Sequence, residues 1–560
     1  MLAALALTLW LMLGPGAAAG SGVAPVVPGQ VLVAVEPTAL AMGRPLSLNA
    51  SPAPGVFVVA VPVGQEAAWA QRLAGQPGVR WAEPNYLVQA LGQPDDPLWP
   101  QQWWHAAIGT AAAWEIARGD PAAVVAVADT GVDLDHPDLG RLWANPGEIA
   151  DNGLDDDGNG KIDDIHGWHW FVAGDGSLHE DADIQIPTEN DPVPTTTAFH
   201  GMHVAGIIGA AADNGRGVAG VARGPQIMPL RVLDQFGLGS MAQVAAAVRY
   251  AADNGATVIN LSLGGSMNSQ VLAEAVAAAT AGGVSIVAAT GNAAGPVYFP
   301  AALPQVMAVG GVAADDSLYP RSNFGPETDL AAPAVDILST WASSKRGGYH
   351  TLTGTSMAAP QAAAALTLLA GLRPRATVEE LRGWLYTSAL DLGQPGRDDL
   401  FGWGRLRLDE AVQAAASGLS LSLRADAPSA APGEMVGLAA EIRDEAGELA
   451  GGGLPITLAW PGETGLALTD GGLAQAEALL PPGLQAGEII TFTAAWNGQT
   501  AVATVRIDPP SSPTPTPSTT PSPSPTATPS PTFTASPSPT PRFLFYLPLL
   551  SVSTPFREGA

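Results

Sequence analysis

Between Leu98 and Ser417, short and almost wholly apolar runs alternate with longer Ala-rich ones. The short runs are Val124 to Ala128, Gln226 to Val232, Thr257 to Leu263, Val284 to Ala289 and Gln305 to Val312. The longer ones are His203 to Ala211, Ser240 to Asn254, Ser269 to Gly282 and Ser356 to Leu372. A strand can be apolar along its whole length only if both of its faces are covered, and intervening helices supply that cover. The pattern therefore predicts an α/β fold, a mostly parallel sheet with helices on both faces. Ligands of such sheets bind beyond the carboxyl ends of the strands. Asp129 directly follows one predicted strand and Asn292 comes soon after another.

The flanking regions read differently. Residues 1–19 begin with an apolar run, Leu2 to Leu13, broken by Gly14-Pro15-Gly16 and followed by Ala17-Ala18-Ala19. About 12 apolar residues are too few for a membrane span, which needs about 20, so a cleaved signal peptide is expected. Residues 27–92 pattern as a small α+β module. Val31 to Val35 and Val56 to Val61 read as strands, Gln65 to Ala74 as a helix, and Val79 to Tyr86 as a closing strand. The polar tract Gln93 to Pro97 reads as a separator before the unit at 98–416. Residues 419–507 lose helical periodicity and gain recurrent turn signals, as a β-sandwich would. Residues 509–541 are almost only Pro, Ser and Thr, the composition of an extended spacer. The tail at 542–560 contains the apolar run Phe543 to Leu550, where cell-surface attachment is one reading.

Charge narrows the partners. Asp and Glu outnumber Lys and Arg by 52 to 24, giving a net charge of −28. An acidic surface does not attract nucleic acid or an anionic membrane, so neither is expected as a partner. There are 0 Cys residues, which excludes thiolate and disulfide chemistry.

Three distant segments carry the remaining signal. They are Asp129-Thr130-Gly131, His200-Gly201-Met202-His203-Val204-Ala205-Gly206, and Gly354-Thr355-Ser356-Met357-Ala358-Ala359-Pro360. Taken singly, each has an ordinary reading. Asp129 could cap a turn, His200 and His203 could be a metal pair or core histidines, and Ser356 could cap a helix. Taken together they supply a hydroxyl, an imidazole and a carboxylate. A Ser hydroxyl is a poor nucleophile until an imidazole takes its proton and a carboxylate holds that imidazole.

In these three motifs, residues 98–416 resemble the subtilisin-like serine protease (subtilase) family, supported by Ile259-Asn260-Leu261-Ser262-Leu263-Gly264 and Ala289-Thr290-Gly291-Asn292. Met202 departs from the family's usual Thr, and about 70 residues separate Asp129 from His200, more than in compact members. The resemblance implies a secreted endopeptidase acting through an acyl-enzyme, with broad specificity and an apolar preference. Asp129 would orient His200, His200 would serve as general base, Ser356 as nucleophile, and Asn292 as an oxyanion donor. His203 would be a structural neighbour. Leu261, Ser262, Leu263 and Gly264 would form an edge strand on which a protein or peptide substrate adds, and Ala289, Thr290 and Gly291 would line the primary specificity pocket. The module at 27–92 would be an inhibitory propeptide, cut near Tyr86 to Gly92, and thus a partner of its own enzyme.

The segment Asp151 to Asp164 is a candidate cation loop. Asp155, Asp157, Asn159, Lys161 and Asp163, with Gly160, repeat the first nine positions of an EF-hand loop. The closing Glu is absent, and Asp164 or Asp151 could replace it. Ca2+ is the expected ion for this hard-oxygen set. The neighbouring His166, Trp168, His169 and Trp170 read as a packed loop. A reading from another class keeps the protease scaffold inert and makes the protein a surface-displayed binding protein.

Overall fold

The computed structural model describes residues 26–35, 49–53, 56–62, 66–76, 78–86, 93–173, 177–184, 199–342, 348–460 and 463–509. The expected signal peptide, the cleavage region after Tyr86, most of the spacer and the tail lie outside them.

The amino-terminal unit is an antiparallel sheet of β1 (Val26–Val35), β2 (Asn49–Ala53), β3 (Val56–Ala60) and β4 (Val79–Tyr86), in the order β2-β3-β1-β4. Its helix, Glu66–Ala74, packs Ala70 against Val31, Val33 and Val35. Strand β2 was not anticipated; Asn49-Ala50-Ser51-Pro52-Ala53 has no alternating apolar pattern to reveal it.

The large sheet has nine strands. They are β5 (Val124–Asp129), β6 (Arg141–Leu142), β7 (Trp168–Val172), β8 (Leu178–Asp181), β9 (Gln226–Arg231), β10 (Val258–Leu261), β11 (Ser285–Ala289), β12 (Val306–Val312) and β13 (Leu330–Pro333). Their order is β13-β12-β11-β10-β5-β9-β7-β8, with β6 also on β9. All pairings are parallel except β7 with β8. Both faces are covered, as the apolar runs require. Val125 and Val127 of β5 face one core, with the helices His200–Gly209 and Thr355–Leu372. Val124, Ala126 and Ala128 face the other, with Met241–Asp253 and Gln270–Ala281. The alternation puts Asp129 on the side of the His200 helix.

Beyond Ser417 two further sheets form. One holds Ser420–Ala425, Met435–Arg443 and Leu473–Leu479; the other holds Ser429–Ala430, Pro455–Trp460, Glu463–Leu468, Ile489–Trp496 and Gln499–Ile507. Val436, Leu438, Ala478 and Leu480 meet Ile490, Phe492, Val505 and Ile507 between them. A second set, including Ile442, Leu454, Ile456 and Trp496, belongs to the same core as Leu366, Leu369 and Leu372 of the Ser356 helix. The separator at Gln93 to Pro97 is anchored as well. Asp96 is 2% exposed and accepts from the backbone N–H of Asp213 at 2.9 Å.

Candidate active site

Asp129 and His200 meet at the carboxyl end of the large sheet, and Ser356 lies against Ser262, a residue that lines the same cleft as His200. Asp129 closes β5 and is fully buried. Both of its carboxylate oxygens lie 2.9 Å from Nδ1 of His200. Its Oδ1 also accepts from the Thr130 N–H at 2.8 Å. His200 opens its helix, and the next residue must be Gly. A Cβ on Gly201 would sit 2.5 Å from the Gly131 carbonyl oxygen and 3.0 Å from Asp129 Cβ. The absent side chain lets the helix start press against the strand end, and Thr130 Oγ1 fixes it by accepting from the Gly201 N–H at 2.9 Å.

The electrostatics of the two histidines diverge. Burial works against the charged form of His200, but the Asp129 carboxylate overrides it through charge and hydrogen bond and holds the pKa above the ordinary value. His203 is buried with no such partner, and desolvation pulls it down to about 3. Its Nε2 lies 3.0 Å from the carbonyls of both Ile337 and His350, so a neutral ring donates there. The His-x-x-His spacing thus resolves into one carboxylate-paired imidazole and one structural imidazole. Met202 is fully buried beside them, a packing residue.

Ser356 is the second residue of the helix Thr355–Leu372. Its Oγ donates to the carbonyl of Ser262 at 3.1 Å. First-turn N–H groups have no intrahelical acceptor, so the Ser356 N–H is available to a ligand. Asn292 lies alongside. Its Oδ1 accepts from the Thr355 N–H at 2.9 Å and from Thr355 Oγ1 at 3.2 Å, which leaves Nδ2 as its outward donor. A Cβ on Gly354 would come within 3.4 Å of that amide. The turn before it also depends on glycine: Gly291 has φ +111°, and a Cβ there would fall 2.4 Å from Asn323 Nδ2.

A cleft of about 310 Å³ runs from His200 and Thr130 past Ser262, Leu263 and Gly264 to Met241 and Val244. Here the expected edge strand needs correction. Leu261 is fully buried and pairs with Ala288 of β11, inside the sheet. Only Ser262 to Gly264, past the strand end, line the cleft; strand order is a tertiary property that a single run does not encode. Ala289 ends β11, Thr290 is buried, and Gly291 leads to Asn292.

The acidic loop is ordered by its own carboxylates. Asp155 accepts from the N–H groups of Gly158, Asn159 and Gly160, and Asp163 from those of Asn152 and Gly153. Lys161 Nζ pairs with Glu180 at 2.7 Å and lies over the Trp168 and Trp170 rings. The carboxylates that converge are Asp157, Asp164 and Glu148, with oxygens within 4.8 Å of one another. Asn159 Nδ2 lies 3.0 Å from both Asp157 and Asp164. Glu148 was missed because it precedes the EF-like stretch. Its Oε2 is buried with no hydrogen-bond partner among the described residues, an orphaned anionic oxygen that a hard cation fits. A second group, Asp95, Asp96 and Asp213, also converges, and burial pushes Asp96 up to about 6. His166 and His169 are engaged elsewhere, by the Trp143 carbonyl and by Asp181, as a packed loop would have them.

Residues 120–404 match the Subtilase family (Peptidase_S8). The chain belongs to the subtilase family. This span is a subtilisin-like serine peptidase domain. The chain is 37% identical over 310 residues to the thermophilic serine proteinase of Bacillus sp. (strain AK1), covering 55% of this chain and 67% of the relative. It is 36% identical over 279 residues to thermitase of Thermoactinomyces vulgaris, covering 50% and 85%. It is 33% identical over 338 residues to the halolysin-like extracellular serine protease Nep of Natrialba magadii, covering 60% and 55%. The subtilase matches agree with the α/β fold of the large sheet.

Proposed function

We propose that this subtilase is an exported serine endopeptidase that uses Asp129, His200 and Ser356 as its catalytic triad. One observation carries the reading: the Asp129–His200 pair at 2.9 Å shares a cleft with Ser262, whose carbonyl holds the Ser356 hydroxyl. Ser356 Oγ attacks the peptide carbonyl carbon while its proton passes to His200 Nε2. Asp129 stabilises the imidazolium, and His200 then protonates the leaving amine. Water, deprotonated by the same imidazole, releases the acid from the acyl-enzyme. The Asn292 amide and the Ser356 N–H face the developing oxyanion. Substrate main chain lies along Ser262, Leu263 and Gly264, which gives affinity with little sequence demand. The small residues Ala289, Thr290 and Gly291 favour a bulky apolar side chain at the cut.

The unit at 27–92 serves as the inhibitory propeptide, residues 1–19 as the export signal, and residues 419–507 as a β-sandwich. The spacer at 509–541 carries the tail at 542–560, which can attach the protein to a cell surface. The extracellular name of the Natrialba relative supports export. Ca2+ has a structural role, held by Glu148, Asp157 and Asp164 and supplying positive charge to their repelling carboxylates.

Casein digestion by the secreted protein, with mass spectrometry of its amino terminus, tests the whole reading. Wild type should digest casein and lose residues up to Tyr86–Gly92. Ser356→Ala should do neither. Equal digestion by both proteins would refute the triad. Correct folding without digestion by either would favour an inert binding scaffold.

A further inference from the structure

Pro360 stands four residues after Ser356, inside the helix Thr355–Leu372. A proline nitrogen carries no hydrogen, so the Ser356 carbonyl loses the i+4 donor that a regular helix would give it. A first turn with a missing bond is free to shift, and this turn carries both the nucleophile and an oxyanion donor. Ser262 fills the gap. Its Oγ donates to the Ser356 carbonyl at 2.8 Å. Asn260 Nδ2 in turn donates to Ser262 Oγ at 2.9 Å, which commits the hydroxyl proton to Ser356. Asn260 is fully buried within β10 and Ser262 is 4% exposed, so water does not compete freely for either. The bond in the other direction, Ser356 Oγ to the Ser262 carbonyl, spans 3.1 Å.

We propose that Ser262, oriented by Asn260, is a positioning residue for catalysis: its hydroxyl replaces the helix hydrogen bond that Pro360 removes, and so fixes the backbone from which Ser356 acts. This rests on Ser356 being the nucleophile. The proline and the hydroxyl form a matched pair. Proline keeps the Ser356 carbonyl out of the helix ladder, and the serine at the strand end claims it, tying helix start to strand end. The role is separate from main-chain binding of substrate at the same residue.

A double-mutant cycle tests it. Ser262→Ala should lower kcat by about tenfold or more while KM changes little, because the backbone that carries Ser356 loses its tie and the Ser262 main chain remains. Pro360→Ala restores an N–H at position i+4. In that background Ser262→Ala should cost at least several-fold less. Ser262→Thr, which keeps the hydroxyl, should retain most of kcat, and it carries the test if Pro360→Ala does not fold. Equal kcat losses from Ser262→Ala in both backgrounds would overturn the proposal. So would a lowered melting temperature with kcat intact, or no advantage of Thr over Ala. Labelling by a fluorophosphonate, which reacts with activated serines, separates the two readings. Labelled wild type with an additive cycle removes only the Ser262 role; unlabelled, folded wild type removes the triad and this inference with it.

Discussion

Trp496 donates its indole N–H to the carbonyl of Ile116 at 3.0 Å, across 380 positions of sequence. Both residues are buried. Near them the Arg118 N–H donates to the Gly453 carbonyl at 3.0 Å. Gly451 lies so close to the end of the Ser356 helix that a Cβ would fall 1.5 Å from the Gly371 carbonyl oxygen. The carboxyl-terminal sheets therefore brace two elements of the site from behind: the segment leading into β5, which ends at Asp129, and the far end of the helix that starts at Ser356. A module on a loose link would not share a core in this way.

Trp496→Ala should consequently destabilise the peptidase unit itself. Loss of a buried Trp costs about 3–5 kcal/mol, and the orphaned Ile116 carbonyl adds to it. Denaturant unfolding followed by both circular dichroism and activity should show the two signals falling together at a lower midpoint. An unchanged midpoint for activity would mean that the carboxyl-terminal sheets are an independent accessory.

In the proposed mechanism the pH dependence of activity follows from His200. The base works only when neutral, and the Asp129 carboxylate holds its pKa above the ordinary 6.5 in spite of burial. Activity should therefore rise with pH through a midpoint above 6.5 and be lost on the acid side. Asp129→Asn removes the charge that raises the pKa, so the midpoint should move down, while kcat falls by about 10⁴-fold for want of the correct tautomer. A kcat/KM profile that keeps its midpoint in this variant would remove Asp129 from the role.

Much of this site is legible in the sequence because its signals are local. Strand ends, glycines needed for close approach and the helix start at Ser356 each lie within a few residues of a chemical group. What escaped depends on partners far along the chain. Leu473-Ala474-Gln475-Ala476-Glu477-Ala478-Leu479 is rich in helix formers, yet it is a strand because it pairs with Met435–Arg443. Asp96 looks like part of a polar spacer until the backbone of Asp213 and Asn214 closes over it. The convergence of Glu148 with Asp157 and Asp164 is set by loop geometry: the latter two lie in the EF-like stretch, and Glu148 precedes it.

Glu148 also gives the cation reading a sharp test. An ion held at 100 times its dissociation constant stabilises the fold by about 2.7 kcal/mol. For a unit of this size that is roughly 3–4 °C in melting temperature. Chelator should lower the melting temperature of wild type by about that amount, and Glu148→Gln should abolish most of the difference between chelated and calcium-loaded protein. A chelator effect that persists undiminished in Glu148→Gln would move the stabilising ion elsewhere.

Asn292 offers the cleanest separation of binding from catalysis. Its Oδ1 is tied down by the Thr355 N–H and hydroxyl, so the amide cannot turn away and Nδ2 remains as its donor. A donor fixed in this way gains most when negative charge appears on the substrate oxygen, and little while the carbonyl is neutral. Asn292→Ala should thus lower kcat by about 10²–10³-fold and leave KM nearly unchanged. Thr355→Val keeps the N–H tie but loses the hydroxyl one, and should lower kcat by a smaller factor in the same direction. A loss expressed mainly as raised KM would mean that Asn292 binds the ground state, and the oxyanion would then have to be stabilised by the Ser356 N–H and the helix start alone.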